Sequence, residues 1–598
     1  MFMDKRTGYE KIKNRRDLAQ LMGVRLSDLT YVLYKEGIAS FYHSFEIPKK
    51  DGTCRQIDAS EKQLKTIQKR LATLLWRRQL EIWNDKDINP NVSHAFQKRK
   101  SIFTNAKIHK AKRFVLNTDL EDFFGTINFG RVKGFFEKNR DFCLPEDVAL
   151  CIAQLACYNG RLPQGAPSSP IITNLIANIM DMRIIKLAKK YKLDYSRYAD
   201  DLTFSTNSGA FLAQKDEFYE ELSREIIRAG FIINEKKTRF SFRESRQIVT
   251  GLIVNDKISV PIDYRKNTRA MLHHLYKDGE FFVNGNKGTI NQLEGRLSFI
   301  DQVDFFNRRY GDTRSRSLDF NSRECEYKKF KAYRLFLAGE KPLVITEGDS
   351  DVLHLKAAIR SNDISFPKLV EQNSEGTVAY NISFLNMSRK TEHFLDIADG
   401  GGKFANIAGY YGIGTRKPCL CEWFLGYTKC YPNFPVIMIV DNEEGNSPLS
   451  IMLNKLSKHD KKAFEKSKMK EILNRRGFIR IIDNLYLLTY PRQEHCDRVE
   501  IENLYEISFL RGLVIHGKKY VEMFEKNPQY DYSLHFSKME FANYIATERH
   551  YEKIDYSMFS STVKSLIDVI DDYNQYINDN DYIRHLELPE RKHDLSQD

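Results

Sequence analysis

Tyr195-Ser196-Arg197-Tyr198-Ala199-Asp200-Asp201-Leu202-Thr203-Phe204 sets aromatic and β-branched residues on both sides of an Ala-Asp-Asp turn. That pattern reads as a β-hairpin with two carboxylates at its tip. Like charges this close raise each other's pKa unless a cation compensates them, so the economical counterion is a divalent metal. A third acid stands upstream. Arg113-Phe114-Val115-Leu116-Asn117-Thr118-Asp119 is an apolar strand ending in a carboxylate, followed by Leu120-Glu121-Asp122-Phe123-Phe124. A two-metal site needs several oxygen ligands around ions about 3.5–4 Å apart, and Asp119, Asp200 and Asp201 are ligands of that kind. Between the acidic segments, Arg161-Leu162-Pro163-Gln164-Gly165-Ala166-Pro167-Ser168-Ser169-Pro170 forms a rigid turn. It runs into a helix with Ile172, Leu175, Ile176 and Ile179 on one face. Proline and glycine fix a backbone there against which a base pair could rest.

Composition bounds what such a site can belong to. The chain has 598 residues, enough for about three to five folding units. With 42% hydrophobic, 12% aromatic and 29% charged residues, sizeable cores are expected and disorder throughout is excluded. The longest apolar runs, such as Val436 to Val440, fall far short of the roughly 20 residues of a membrane span. Met1 to Glu10 has no apolar signal core, so a cytoplasmic protein without a membrane partner is expected. Nine sparse cysteines agree with a reducing compartment. Lys and Arg exceed Asp and Glu by 13, and the excess is uneven. Residues 1–310 hold 53 basic against 37 acidic side chains, residues 311–598 only 40 against 43. A basic surface of that size over a folded half fits a polyanionic partner, because Lys and Arg displace counterions condensed on phosphates. Arg309-Tyr310-Gly311-Asp312-Thr313-Arg314-Ser315-Arg316 reads as a linker between the halves.

In this order the acidic strand, the Leu-Pro-Gln-Gly turn and the Tyr-x-Asp-Asp hairpin resemble the palm of reverse transcriptases. The resemblance implies a right-hand polymerase of fingers, palm and thumb. It makes Asp119, Asp200 and Asp201 the ligands of Mg2+, with Mn2+ able to substitute, and puts Gln164 beside the incoming dNTP. Phe124, five residues after Asp119, falls where the family blocks a ribose 2′-hydroxyl, which implies selection of deoxynucleotides. Lys49-Lys50-Asp51-Gly52 with Arg55 resembles the fingers segment that grips the triphosphate, so Lys50 and Arg55 are assigned to it. Lys236, in Asn234-Glu235-Lys236-Lys237-Thr238, occupies the segment where the family often has a lysine near the leaving group. Asn105-Ala106-Lys107-Ile108-His109 and Val249-Thr250-Gly251 match two signatures of bacterial retron reverse transcriptases. The resemblance covers about residues 10–310, with fingers and palm over about 1–250 and thumb over about 251–310. It implies binding of a cognate structured noncoding RNA, with Asn105, His109, Val249, Thr250 and Gly251 on the RNA-binding surface. Synthesis would start from the 2′-hydroxyl of a guanosine and leave a branched RNA–DNA product. Broad positive surface suits such a partner, because A-form RNA is held through phosphates and shape.

The second half repeats the acidic design on other strands. Lys341-Pro342-Leu343-Val344-Ile345-Thr346-Glu347-Gly348-Asp349-Ser350-Asp351 is an apolar strand that feeds a helix. Phe434-Pro435-Val436-Ile437-Met438-Ile439-Val440-Asp441-Asn442-Glu443-Glu444-Gly445 is a second. Continuous apolar runs suit strands buried on both faces of a parallel sheet, and carboxylates at their C-terminal ends sit where open α/β sheets bind ligands. If the strands are neighbours, Glu347, Asp441 and Glu443 converge, and Asp351 joins them from the first helical turn. These segments resemble the topoisomerase-primase (Toprim) fold of the overcoming-lysogenization-defect nucleases, with Asp-x-Glu in place of Asp-x-Asp. The resemblance implies an α/β domain over 341–598 with a mostly parallel sheet and helical additions, preceded by a linker and leading helix over 311–340. It also implies magnesium held by Glu347, Asp351, Asp441 and Glu443, with Lys538 in Phe536-Ser537-Lys538-Met539-Glu540-Phe541 stabilising a phosphodiester under attack. Glu500 and Glu502 fall in a late segment that also resembles those nucleases. Asp399-Gly400-Gly401-Gly402-Lys403 could shape a phosphate-facing turn. The joint expectation is a retron reverse transcriptase fused to a Toprim nuclease acting on a nucleic-acid target in anti-phage defence, and a homo-oligomer is compatible with it. Two alternatives stay open: a mobile-element or intron-type reverse transcriptase with a targeting endonuclease, and a non-catalytic Toprim scaffold.

Overall fold

The computed structural model describes residues 7–48, 52–88, 92–310, 320–361, 366–372, 378–385, 388–397, 402–414, 419–428, 432–443, 445, 447–492, 498–547 and 554–579. Lys50, most of the linker run and the Asp399-Gly400-Gly401 part of the glycine run lie outside them. Packing divides the chain into two units. One runs up to Arg265 and includes the segment starting at Gln302; the other joins Lys266–Asp301 to the residues from 320 onward.

In the first unit β1 (Tyr42–Pro48) and β2 (Cys54–Ser60) form an antiparallel hairpin. Helix α1 (Ile102–Ile108) precedes β3 (Phe114–Asp119), and α2 (Ser169–Lys190) precedes β4 (Asp194–Tyr198) and β5 (Asp201–Thr206). With β6 (Arg239–Phe242) these strands make an antiparallel sheet in the order β4-β5-β3-β6. Phe114, Val115 and Leu116 of β3 are all buried, as a central strand requires. Pro170 sits in the first turn of α2, where its missing N–H leaves no helical bond unmade. Ile172, Leu175 and Ile176 are buried, but Ile179 is 46% exposed. The buried face is centred on Thr173, Met180 and Ile184, which leaves Ile179 at its margin. A short hairpin of β7 (Ile248–Val249) and β8 (Leu252–Ile253) turns at Thr250 and Gly251, with φ of +47° and +82°.

In the second unit, Leu272, Leu275 and Tyr276 of α3 (Ile262–Asp278) and Leu293 and Leu297 of α4 (Ile290–Tyr310) share a core with α5 (Ser322–Phe336). Tyr327, Phe330 and Tyr333 are the α5 contributors. The expected thumb, residues 251–310, is therefore divided by packing: 266–301 belongs with the second unit because these aromatic rings cover its apolar face. Strands β9 (Leu343–Ile345), β10 (Ser383–Phe384), β11 (Val436–Val440), β12 (Phe478–Ile482) and β13 (Leu485–Thr489) form a sheet in the order β10-β9-β11-β13-β12. All neighbours are parallel except β12 and β13. Every residue of β11 is buried, which accounts for its uninterrupted apolar run. Helix α6 (Asp349–Arg360) follows β9. Among the described residues no helix is long and apolar enough to cross a membrane.

Candidate active site

Strand register builds the first site. Asp119, the last residue of β3, lies opposite Asp201, the first of β5, and Asp201 also pairs with Tyr198. The hairpin turn is therefore two residues, Ala199 and Asp200. The Leu120 N–H donates to the Asp200 carbonyl at 3.1 Å and the Asn234 N–H to the Asp119 carbonyl at 2.7 Å. Asp119 and Asp200 line a cleft of about 710 Å³. Burial first, then the neighbouring Asp119, pushes the Asp200 carboxyl above its ordinary range. Asp201 keeps a solvent-exposed rim, yet the protein packed around it, together with Asp200 and Asp119, pushes it up to about 7. Lys237 Nζ donates to Asp119 Oδ2 at 2.8 Å, and that bond is the main reason its own pKa is raised. Oxygen donors that repel one another and already attract an ammonium group fit Mg2+ or Mn2+.

The walls of the cleft come from the segments singled out in the sequence. The Gln164 carbonyl accepts from the Asp58 N–H at 2.8 Å, which ties β2 to the Leu-Pro-Gln-Gly turn. Gly165 has φ +133°, and a Cβ there would stand 2.5 Å from the Asp58 carbonyl, so only glycine lets the two backbones meet. Phe124 lines the cleft with its ring edge-on to Phe123 at 5.8 Å and Phe96 at 6.1 Å between centroids. Arg55 also lines it, and its charge favours ionised Asp200. Lys236, expected here, is exposed on the turn Glu235–Lys237; the amine on the carboxylates is its neighbour Lys237. Two lysines in succession gave no way to choose between them from sequence.

The residues expected on the RNA surface sit differently. Asn105 and His109 are fully buried. His109 Nε2 meets Ser196 Oγ at 2.7 Å, Nδ1 meets Ser205 Oγ at 2.7 Å, and Ser196 Oγ donates to Asn105 Oδ1 at 2.7 Å. Burial lowers the His109 pKa to about 3, so the ring is neutral. These side chains fasten α1 to β4 and β5; with no surface of their own they touch no phosphate. Val249 is buried too, and only the Thr250-Gly251 turn reaches outward.

A helix-backed antiparallel sheet carrying three carboxylates at one end, beside a cleft walled by a Leu-Pro-Gln-Gly turn, defines a template-directed nucleotide polymerase. A family model described as reverse transcriptase (RNA-dependent DNA polymerase) matches residues 47–277. Retron Ec86 reverse transcriptase of Escherichia coli is 32% identical over 303 residues, covering 50% of this chain and 87% of that protein. Retron Mx65 reverse transcriptase of Myxococcus xanthus is 32% identical over 318 residues, covering 50% and 70%. Among solved structures, apo telomerase from Candida tropicalis is 13% identical at a TM-score of 0.29, covering 50% of this chain and 62% of that one. The chain belongs to the retron reverse transcriptases, RNA-directed DNA polymerases, through its first half.

A second acidic cluster lies on the parallel sheet. β9 and β11 are neighbours, with Ile345 opposite Met438, so Glu347 and Asp441 leave the sheet at the same edge. The Asp441 N–H donates to Glu347 Oε1 at 3.0 Å. Asp351, buried in the first turn of α6, accepts from the Gly348 N–H at 3.0 Å. Burial raises the carboxyl pKa of Glu347 and Asp351, and with the charges of Glu347 and Asp351 it raises Asp441 strongly. Asp441, Glu443 and Glu500 offer carboxylate oxygens within 4.8 Å of one another, a set able to hold a metal ion. Cations crowd the same place. Arg498 Nε meets Glu443 Oε1 at 2.6 Å; Glu500 is paired with Arg498, with Lys538 and, at 2.8 Å, with Lys526. Lys538 also reaches Glu502 at 3.1 Å, and buried Lys403 donates to the Glu347 carbonyl. Arg498 and Lys526 had no signal in the sequence.

Proposed function

We propose that the chain copies part of its own structured noncoding RNA into a short single-stranded DNA left joined to that RNA. In this reading residues 341–598 are a Toprim-type, magnesium-dependent nuclease effector in anti-phage defence. The observation that carries the polymerase half is the convergence of Asp119, Asp200 and Asp201 through cross-strand register. These three would hold the metal, which when bound activates the attacking hydroxyl and neutralises the triphosphate. The chain's own groups do the rest. Lys237 offsets charge at Asp119, Phe124 closes the cleft against a 2′-hydroxyl, Arg55 faces the triphosphate, and the turn at Gln164 supports the nascent base pair. The basic excess of residues 1–310 favours the RNA and its branched product as partners.

The nuclease half is supported by the meeting of Glu347 with Asp441, and by a carboxylate set at Asp441, Glu443 and Glu500. Lys538 stands among these acids, where its ammonium could turn to a phosphodiester under attack. Sequencing the nucleic acid that co-purifies with the full chain tests the first half: a branched RNA–DNA hybrid is expected, and unbranched host RNA alone would defeat the reading. Incubating the protein with magnesium and labelled RNA or DNA tests the second. Cleavage that disappears in Glu347→Ala is expected; cleavage that persists removes the site, and no cleavage at all leaves a binding scaffold. The RNA–DNA product is further proposed to restrain the nuclease. Changing both Asp200 and Asp201 to Ala, with the RNA present, should alter cleavage, and identical cleavage in both forms would end that idea.

A further inference from the structure

Beneath the polymerase turn lies a buried charge that the reaction itself does not use. Arg197, on β4, and Asp181, on α2, are 0% and 2% exposed. The guanidinium donates from Nε to both Asp181 oxygens, at 2.9 and 3.1 Å, and from Nη2 to Oδ2 at 2.7 Å. Tyr195 donates its hydroxyl to the same carboxylate at 2.8 Å. The remaining arm, Nη1, reaches Asn174 Oδ1 at 3.2 Å and the carbonyl of Ala199 at 3.0 Å. A desolvated ion pair is a poor device for stability alone, since apolar residues of similar volume often serve as well. What apolar residues cannot do is hold a carbonyl.

Ala199 needs holding. Its φ is +58°, the left-handed region, which a residue with a Cβ adopts only at a cost. Its carbonyl belongs to the peptide that leads into Asp200, while the Asp200 carbonyl is bound by the Leu120 N–H. Asp200 is thus tied at both ends, once by Arg197 and once by the strand that carries Asp119. The backbone of Arg197 is itself fixed, donating to Val92 and accepting from His94, each at 2.8 Å. We infer that Arg197, oriented by Asp181, is a positioning residue that fixes the Ala199–Asp200 peptide so that Asp200 and Asp201 face Asp119.

The test is primer extension by the full-length chain on an RNA template annealed to a DNA primer, with kcat, dNTP KM and the magnesium requirement measured separately. Arg197→Lys keeps the charge but loses the fork. It should lower kcat about ten- to a hundredfold, as a small misplacement of reacting groups does, and raise the half-saturating magnesium concentration. The dNTP KM should stay within about threefold, because the loss falls on the reaction rather than on substrate binding. Adding Ala199→Gly to Arg197→Lys should recover part of kcat and only a small part of Tm, since glycine adopts a positive φ without strain but does not replace the lost fork on Asp181 and Asn174. Asp181→Asn, which leaves the guanidinium in place, should shift kcat and the magnesium requirement in the same direction by less, and it decides the matter if Arg197→Lys does not fold. An unchanged kcat in Asp181→Asn, or a loss in Arg197→Lys that Ala199→Gly leaves unrepaired, overturns the assignment.

Discussion

In the first unit Asp119 and Asp201 face each other across antiparallel strands, whereas in the second Glu347 and Asp441 leave the ends of parallel ones. An antiparallel pair delivers two carboxylates in direct register and closes them with a tight turn. A parallel pair delivers both at one edge and leaves the loops and the following helix to complete the set, as Asp351 does from α6. The clusters also differ in counter-charge. One lysine, 59% exposed at its side chain, meets Asp119, while Arg498, Lys526 and Lys538 are paired with Glu443, Glu500 and Glu502. Repulsion among acids calls for a cation in both places. A largely exposed lysine can give up that role to a metal, and a cluster laced with its own cations makes an incoming metal compete.

The largest effects should come from the acids themselves. Changing Asp200 and Asp201 to Ala should reduce primer extension roughly a thousandfold or more, the several kcal/mol that metal-assisted charge stabilisation supplies. Glu347→Ala should remove magnesium-dependent cleavage in the same preparation. If Glu347→Ala reduces primer extension as much as it reduces cleavage, the two clusters do not act as separate sites. Phe124→Ala should next relax sugar selection, raising ribonucleotide incorporation relative to deoxynucleotide about 10- to 100-fold; a single-nucleotide competition measures it, and an unchanged ratio removes Phe124 from that wall.

A third contrast is in pH. Asp201 has a folded pKa of about 7, above its unfolded value, so its contribution to stability is complete in acid and is lost as pH rises through 7. His109 and His354, held near 3 by burial, act with the opposite sign and only as pH falls below about 6.5. Most of the Asp201 loss falls between about pH 4 and 7, so between pH 6.5 and 8 the metal-free protein should lose about 1–2 °C in Tm, a figure kept small by solvent at Asp201. Added magnesium should restore it, and a flat calorimetric profile in that window would contradict the electrostatic account of the first cluster. The smallest effect belongs to Asn105→Ala, expected to cost about 1 kcal/mol in urea unfolding. RNA affinity should stay within about twofold of the parent chain; a large loss would return Asn105 to the RNA surface.

Much of the first site was legible because its signals are local. A strand ending in an acid, a Pro-Gly turn and an Asp-Asp hairpin each announce their geometry within ten residues. The parallel sheet was legible in the same way, from two apolar runs that could only be covered on both faces. Asn105 and His109 were misleading for a physical reason: a polar residue in a motif is read as exposed, while here Ser196 and Ser205 meet the His109 ring nitrogens and Ser196 the Asn105 Oδ1 inside. Lys237 differs from Lys236 only in the phase of a short 3₁₀ turn, which no periodicity resolves. The segment 266–301 joined the second unit through aromatic rings far along the chain, and nothing in its own composition names them.

The order of residues alone determined which strands end in carboxylates, where the backbone must turn, and which half carries the positive charge, since these depend on neighbours in sequence and on side-chain alternation. Tertiary structure decided which cation meets which acid. Lys237 and Asp119 stand 118 positions apart, and Lys538 and Glu500 stand 38 apart. Pairings over such distances depend on how helices and strands pack, because a charge is assigned its partner only when burial removes water as the alternative.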